Sequence, residues 1–184
     1  MRRSSSKNES NNKKFFPFVG VGVLMLLIGI AAVFGYNHWQ KEQRKDRVHA
    51  TSELFTEALG VQDYQKLTNL ISETSLNESG YNQAEVQERY ETIYGGLGVA
   101  DLTVENIEVH EVEETEEFEL SYDVAMETSL GILETQSYHT TFHEDEGEFT
   151  VDWSPALIFP EMEPNDTVQL YMQQGERGSI FDRN

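Results

Sequence analysis

The run FFPFVGVGVLMLLIGIAAVFGY, from Phe15 to Tyr36, is 22 residues long and carries no charge. A small domain has no interior that could hide such a run on every face. As a helix rising about 1.5 Å per residue it covers about 33 Å, enough to cross a hydrocarbon core of about 30 Å. The run therefore predicts a transmembrane anchor over 15–36. A cleaved signal peptide is the rival, but the run is long for one. The small-residue pattern from Ala31 to Gly35 makes a weak cleavage site, and no cysteine is present to take a lipid. Tyr36 and Trp39 stand where an interfacial aromatic belt would sit.

Charge divides the chain near the same place. Residues 1–47 hold nine Lys and Arg against three acids, Glu9, Glu42 and Asp46. Residues 48–184 hold four (Lys66, Arg89, Arg177, Arg183) against thirty, and the whole carries −20. Five of the basic residues precede the run and four follow it closely, which biases the N-terminus slightly toward the cytoplasm. So acidic an outer part repels phosphate backbones and excludes nucleic acid as a partner. It still holds enough Leu, Val, Ile, Phe, Tyr and Trp to fold. Without cysteine, disulfides, thiol catalysis and thiolate metal sites are excluded.

Residues 1–14, rich in Ser, Asn and Lys, read as a cytoplasmic tail, and 37–47 as a juxtamembrane segment. Beyond them the periodicity is first helical. Thr51, Leu54, Phe55, Ala58 and Leu59 share a stripe stopped by Gly60. Tyr64, Leu67 and Ile71 follow an Asp63 cap, and Val86, Tyr90, Ile93, Tyr94 and Leu97 run from Asn82 to a Gly95-Gly96 close. From Ala100 the period falls to two. Leu102 and Val104, then Ile107 and Val109, alternate with a slip at Glu105-Asn106 that suits a β-bulge. Phe118 to Met126 alternates without error. Ile132 to Phe142 reads as one strand with Ile132, Tyr138 and Phe142 on one face, and Phe149, Val151 and Trp153 follow the Glu146-Gly147 turn. The expected fold class is α+β: about three helices packed on a curved antiparallel sheet of about four strands, best matched by a cone of the nuclear-transport-factor-2 type.

No pattern commits the chain to chemistry. His139 and His143 would share a metal on a helix, but on a strand they lie about 13 Å apart. The stretch EVEETEEFEL lacks the spacing of a calcium loop, and HEDEGE reads as a charged hairpin tip. Ser4 to Lys7 fits Ser-x-x-Lys and Ser75 to Asn77 fits Ser-x-Asn, but they fall on opposite sides of the expected membrane, and no Lys-Thr-Gly occurs. A cone can hold an acid and a tyrosine as base and oxyanion donor, and Tyr64, Tyr81, Tyr90, Tyr94 and Tyr122 are available. Tyr90 and Tyr94, on a helical stripe, read as core. No catalytic residue, metal ligand or cofactor site is expected.

The stretch from Asp152 to Asn184 carries a resemblance. WSPALIFPEM, with Trp153, Pro155, Ile158, Phe159, Pro160 and Met162, is followed by GERGSIFDRN, with Arg177, Gly178, Ile180, Asp182, Arg183 and Asn184. Together these resemble the exit from the N-terminal domain of low-affinity class B penicillin-binding proteins of the methicillin-resistance type. The resemblance implies a nuclear-transport-factor-2-like domain over 48–153, and over 154–184 a connector with the start of the next module. It implies a single-pass protein of a Gram-positive cell membrane, N-terminus cytoplasmic, serving as the non-catalytic stalk that positions a D,D-transpeptidase domain in cell-wall synthesis and β-lactam resistance. Cell-wall glycan or divisome proteins are further implied partners. The transpeptidase motifs of that family would follow Asn184, where the sequence stops, so a fragment that does not react with penicillin is expected. The expected coupling residues are Trp153, Pro155, Phe159, Pro160, Arg177, Gly178, Asp182 and Arg183. Arg177 and Arg183 bracket Asp182 for bidentate pairing, and Gly178 permits a close backbone passage. A self-standing anchored ligand-binding or sensor module is the alternative, and an isomerase-like enzyme a third reading. The excess of acids predicts that added NaCl raises the melting temperature by screening self-repulsion, which a salt series followed by circular dichroism checks.

Overall fold

The computed structural model describes residues 16–168. They fall into two compact units, residues up to Asp46 and those from Arg47 onward. Helix α1 is continuous from Phe16 to Gly60. In its first part Tyr36 and Trp39 are exposed and their rings lie 6.3 Å apart. Among the described residues no helix is long and apolar enough to cross a membrane. Most side chains of the uncharged run lie outside those described, and with them the expected anchor.

In the second unit the end of α1 buries Phe55, Ala58 and Leu59, while Leu54 faces out. The expected stop at Gly60 falls two residues early. Gln62 takes the left-handed conformation (φ 58°), Asp63 N–H reaches Ala58 O at 2.9 Å, and Gln62 N–H reaches Leu59 O at 3.0 Å. This is a Schellman close built without glycine. Helix α2 (Tyr64–Thr68) starts on the expected Asp63 cap, whose side chain accepts from Lys66 N–H. Helix α3 (Glu73–Ser79), not expected, is capped by Ser72 and buries Leu76. Helix α4 (Gln83–Leu97) opens with a capping box between Asn82 and Glu85. It runs through Gly95 and Gly96 and stops at Gly98 (φ 65°). A Cβ on Gly98 would lie 2.9 Å from the Ser129 side chain, so both backbone and packing require glycine there.

The sheet is antiparallel with order β1-β2-β4-β5: β1 Asp101–Val112, β2 Glu117–Thr128, β4 Gln136–Asp145 and β5 Glu148–Val151. A two-residue β3, Gly131–Ile132, also pairs with β2. The expected bulge in β1 is present: Glu105 faces Asp123 but Glu108 faces Ser121, with Asn106 left-handed at φ 52°. Val109 returns to the core face opposite Leu120, while Ile107 is exposed. On β2 every second residue from Phe118 to Thr128 is buried. Glu146 and Gly147, both at positive φ, make the two-residue turn from β4 to β5.

The expected long strand from Ile132 to Phe142 is broken. Glu127 faces Ile132 and Val124 faces Gln136, so three steps on β2 oppose four on the other chain. The extra residue inverts the alternation. Ile132 is consequently 82% exposed, Leu133 packs against the core, and Tyr138 and Phe142 are buried as expected. At the far edge, Ser72 N–H bonds Val151 O (2.9 Å) and Val151 N–H bonds Leu70 O (2.8 Å), which closes β5 against the segment between α2 and α3.

The helices and the curled sheet meet in an aromatic core. Tyr64 stacks on Tyr90 at 5.4 Å, Tyr90 meets Tyr94 edge-on at 5.6 Å, and Tyr122 stacks on Tyr138 at 5.3 Å. Burial, and secondarily the charge of Glu91, pushes the Tyr64 hydroxyl up to about 12. Burial is also the first cause that raises Tyr90, Tyr94, Tyr122 and Tyr138 above the ordinary value. An unfolded chain ionises its tyrosines near pH 10, roughly, before the folded one does. The stability these groups contribute is therefore fully present below that pH and lost as pH rises through it toward the folded values. Above it the domain should lose about 1.4 kcal/mol per pH unit for each fully buried tyrosine, readable as urea midpoints that fall together with a rise in tyrosinate absorbance.

Candidate functional site

The residues expected to couple the domain to a following module begin at the end of β5. Trp153 is 3% exposed, its backbone N–H donates to Ser75 Oγ at 2.9 Å, and its ring meets Tyr81 edge-on at 5.3 Å. Ser154 is extended, as a residue before proline prefers, and Pro155 opens a single 3-10 turn, Pro155–Leu157. Leu157 and Ile158 are buried.

A short turn of this kind leaves backbone carbonyls without partners, and buried carbonyls need them. Tyrosine supplies them. Tyr90 donates to Leu157 O at 3.1 Å, and both Tyr94 (3.0 Å) and Tyr138 (3.3 Å) donate to Ile158 O. Two of the donors come from α4 and one from β4, so the exit segment is held by the helical layer and the sheet at once. Phe159 meets the Tyr94 ring edge-on at 6.0 Å. Pro160 is half-buried. The backbone then reverses at Glu161 (φ 66°), and Met162 is buried behind it.

A second tie lies further along. Asn165 N–H donates to Tyr81 Oη at 3.3 Å, and Arg89 Nη2 donates to Asp166 O at 2.9 Å. The Arg89 guanidinium sits 5.3 Å above the Tyr81 ring, a cation–π contact. The Asp166 side chain accepts from Glu163 N–H at 2.9 Å and tightens the last turn. Beside this tie an open groove of about 580 Å³ runs along the outer face of α4, lined by Arg89, Thr92, Ile93, Gly96 and Leu97 and by Asp166 to Val168.

Of the eight expected coupling residues, the structure brings Trp153, Pro155, Phe159 and Pro160 into this segment. Arg177, Gly178, Asp182 and Arg183 lie outside the described residues. Sequence reasoning missed the tyrosine hydroxyls and Arg89. A usable signal was present: three tyrosines, rather than phenylalanines, on faces marked as core imply hydroxyls in need of acceptors.

The other candidates stay apart. His143 Nε2 lies 3.4 Å from Thr74 Oγ1, while His139 lies with His110 and Glu119 in a depression formed by β1, β2 and β4. Among the described residues no group of three or more His, Asp or Glu is placed to hold a metal. Among the described residues the buried polar side chains other than the tyrosines are serines and threonines.

Residues 47–166 match the family described as the NTF2-like N-terminal transpeptidase domain, and the chain belongs to that family. The match begins where the second unit begins and ends at the residue Arg89 holds. The chain is also similar to penicillin-binding protein 3 of Bacillus subtilis strain 168, with 25% identity over 167 residues. That alignment takes in 88% of this chain and 24% of the relative, so the chain spans about a quarter of the relative's length. Among solved structures, a function-unknown protein of Mycobacterium tuberculosis is similar at 12% identity and a TM-score of 0.41, over 65% of this chain and 81% of that one.

Replacing Tyr94 or Tyr138 with Phe should each cost about 1 kcal/mol, because the other hydroxyl still serves Ile158 O. The double substitution should cost more than the two together by about 1 kcal/mol, since that buried carbonyl then has no donor. Tyr122→Phe should be neutral or stabilising, its buried hydroxyl having no partner. Urea unfolding of the four proteins checks all three.

Proposed function

We propose that this chain is the membrane-anchored, non-catalytic N-terminal region of a class B penicillin-binding protein of the methicillin-resistance type. It serves as the stalk that holds a D,D-transpeptidase domain away from the bilayer in cell-wall synthesis and β-lactam resistance. The observation that carries the reading is the family match over residues 47–166, which stops where the exit segment is tied down. A stalk must hand over its load in a fixed direction. Three tyrosine hydroxyls and one arginine on the exit segment meet that need, where a free linker would not.

The uncharged run from Phe15 to Tyr36 supports the anchor, with the acidic part outside a Gram-positive cell membrane and the N-terminus in the cytoplasm. Arg177, Gly178, Asp182 and Arg183 continue the coupling into the next module on this reading, and glycan or divisome proteins are further partners. A self-standing sensor or binding module would use an interior cavity. Tyr90, Tyr94 and Tyr122, each at most 1% exposed, occupy the space between helices and sheet instead.

Expressed in a Gram-positive host, the chain should stay with the membranes through an alkaline carbonate wash and become soluble once residues 1–47 are removed. A fluorescent penicillin should label the host's own penicillin-binding proteins and leave this chain dark. Covalent labelling of the chain, or its release by carbonate while intact, would count against the reading.

A further inference from the structure

The groove on α4 is apolar at one end and acidic at the other. Ile93 and Leu97 line its apolar end, and Gly96 between them is bare, since a Cβ there would meet nothing within 4 Å. Exposed apolar surface gathers beside it. Six large apolar side chains of the second unit are exposed among the described residues, and three of them, Leu130, Ile132 and Val168, stand here. Val168 lines the groove. Leu130 and Ile132 follow Ser129, whose N–H (3.3 Å) and Oγ (2.9 Å) both bond Leu97 O and fasten that turn to the end of α4. At the other end Glu85, Glu88 and Asp166 bring three carboxylates against the one guanidinium of Arg89, which is engaged with the Tyr81 ring and Asp166 O. Among the described residues Glu88 makes no ion pair.

We propose that this groove docks a basic amphipathic helix of a partner protein. The partner's apolar stripe lies over Ile93, Gly96 and Leu97, and its lysines or arginines meet Glu85 and Glu88. This inference does not depend on the function proposed above.

Charge selects the partner. Residues 48–184 hold thirty acids against four basic residues, so a second copy would bring like charge to the groove, whereas a basic segment is drawn in by the same field. Backbone chemistry selects the helix. An extended strand docks by bonding to unpaired N–H and C=O groups, but the wall that α4 presents is helical and its backbone is paired within itself. A helix arrives with its own backbone paired and needs only side-chain contacts. From Glu85 to Leu97 α4 rises about 18 Å, the length of about three turns of a partner helix. Anchors at i, i+3 or i+4, and i+7 fit within that length. Gly96 lets the two backbones approach closely at the apolar end, because no side chain stands between them.

Because the chain has no cysteine, one introduced into the groove reports that site alone. In the full chain, held in detergent, Thr92→Cys should exchange with a disulfide-activated peptide of leucine and lysine, about two heptads long, whose leucines fall at helical spacing. It should react at least about tenfold faster than with a peptide of the same composition whose leucines are scattered, because docking raises the effective concentration of the disulfide. Glu117→Cys, exposed among other acids at the start of β2, should show no such preference, which separates docking from attraction by charge alone or uptake by detergent. Replacing the lysines of the first peptide by glutamate should remove the excess. Gly96→Lys, added to Thr92→Cys, should bring the two rates together by filling the apolar end with a cation.

Equal rates for the two peptides at Thr92→Cys overturn the proposal, as does the same preference at Glu117→Cys. A glutamate peptide that reacts as fast as the lysine one overturns it too, and so does a preference that survives Gly96→Lys. A Thr92→Cys chain that cross-links to itself increasingly with concentration gives the groove to a second copy instead. The comparison of peptides at Thr92→Cys stands as the test even if Gly96→Lys fails to fold.

Discussion

The carbonyl oxygens of Leu157 and Ile158 are buried, and the arrangement of the domain around its exit follows from the need to give them donors. Water is excluded there, and the turn's own hydrogen bonds end on Ser154 O and Pro155 O, not on these two oxygens. Tyr90, Tyr94 and Tyr138 reach them from two different layers, so helix α4, strand β4 and the exit segment can settle only together. Phenylalanine would fill the same volume but would leave the oxygens bare. The rings also pack on one another, so the aromatic contact area and the hydrogen bonds depend on a single geometry. The Trp153 indole N–H shows the limit of this scheme. Buried with the tyrosines, it has no hydrogen-bond partner of its own.

Much of the fold was legible because burial imposed a regular period. Strand β2 buries alternate residues without a break, and its sequence alternates in the same way. The bulge in β1 was legible because its alternation visibly slips at Glu105-Asn106. The second bulge, between β3 and β4, was hidden: Ile132 and Leu133 are both apolar, so either could have been the inward one. Helix α3 escaped because it buries little beyond Leu76 and shows no stripe, although its caps, Ser72 and Gly80, stand in the sequence. The helix ends were misplaced for a related reason. Gly95 and Gly96 look like a stop, but left-handed backbone is needed only at Gly98, where Ser129 comes close from thirty-one positions away.

The site was half legible. Trp153 and the prolines around Ile158 and Phe159 stand out as a pattern, and the structure places them in the tied segment. Their partners did not stand out. Periodicity says which face of α4 points inward but not what its hydroxyls will meet, and Leu157 and Ile158 lie more than sixty residues beyond Tyr90 and Tyr94. Arg89 is a surface charge by every local rule, and only the return of Asp166 makes it a clamp.

The kink at Asn106 has a bearing on how copies of this protein tolerate one another. Among the described residues strand β5 is closed off by the segment before α3, while β1 is an edge strand that pairs with β2. A straight strand with free amides would invite lateral stacking, sheet upon sheet, wherever copies are crowded side by side. The extra residue bends that rim midway, and Glu105, Glu108 and Glu111 place like charges along it. Two such rims laid side by side would bring acidic side chains of one near those of the other. Neighbours can therefore share a surface at high density and remain separate molecules.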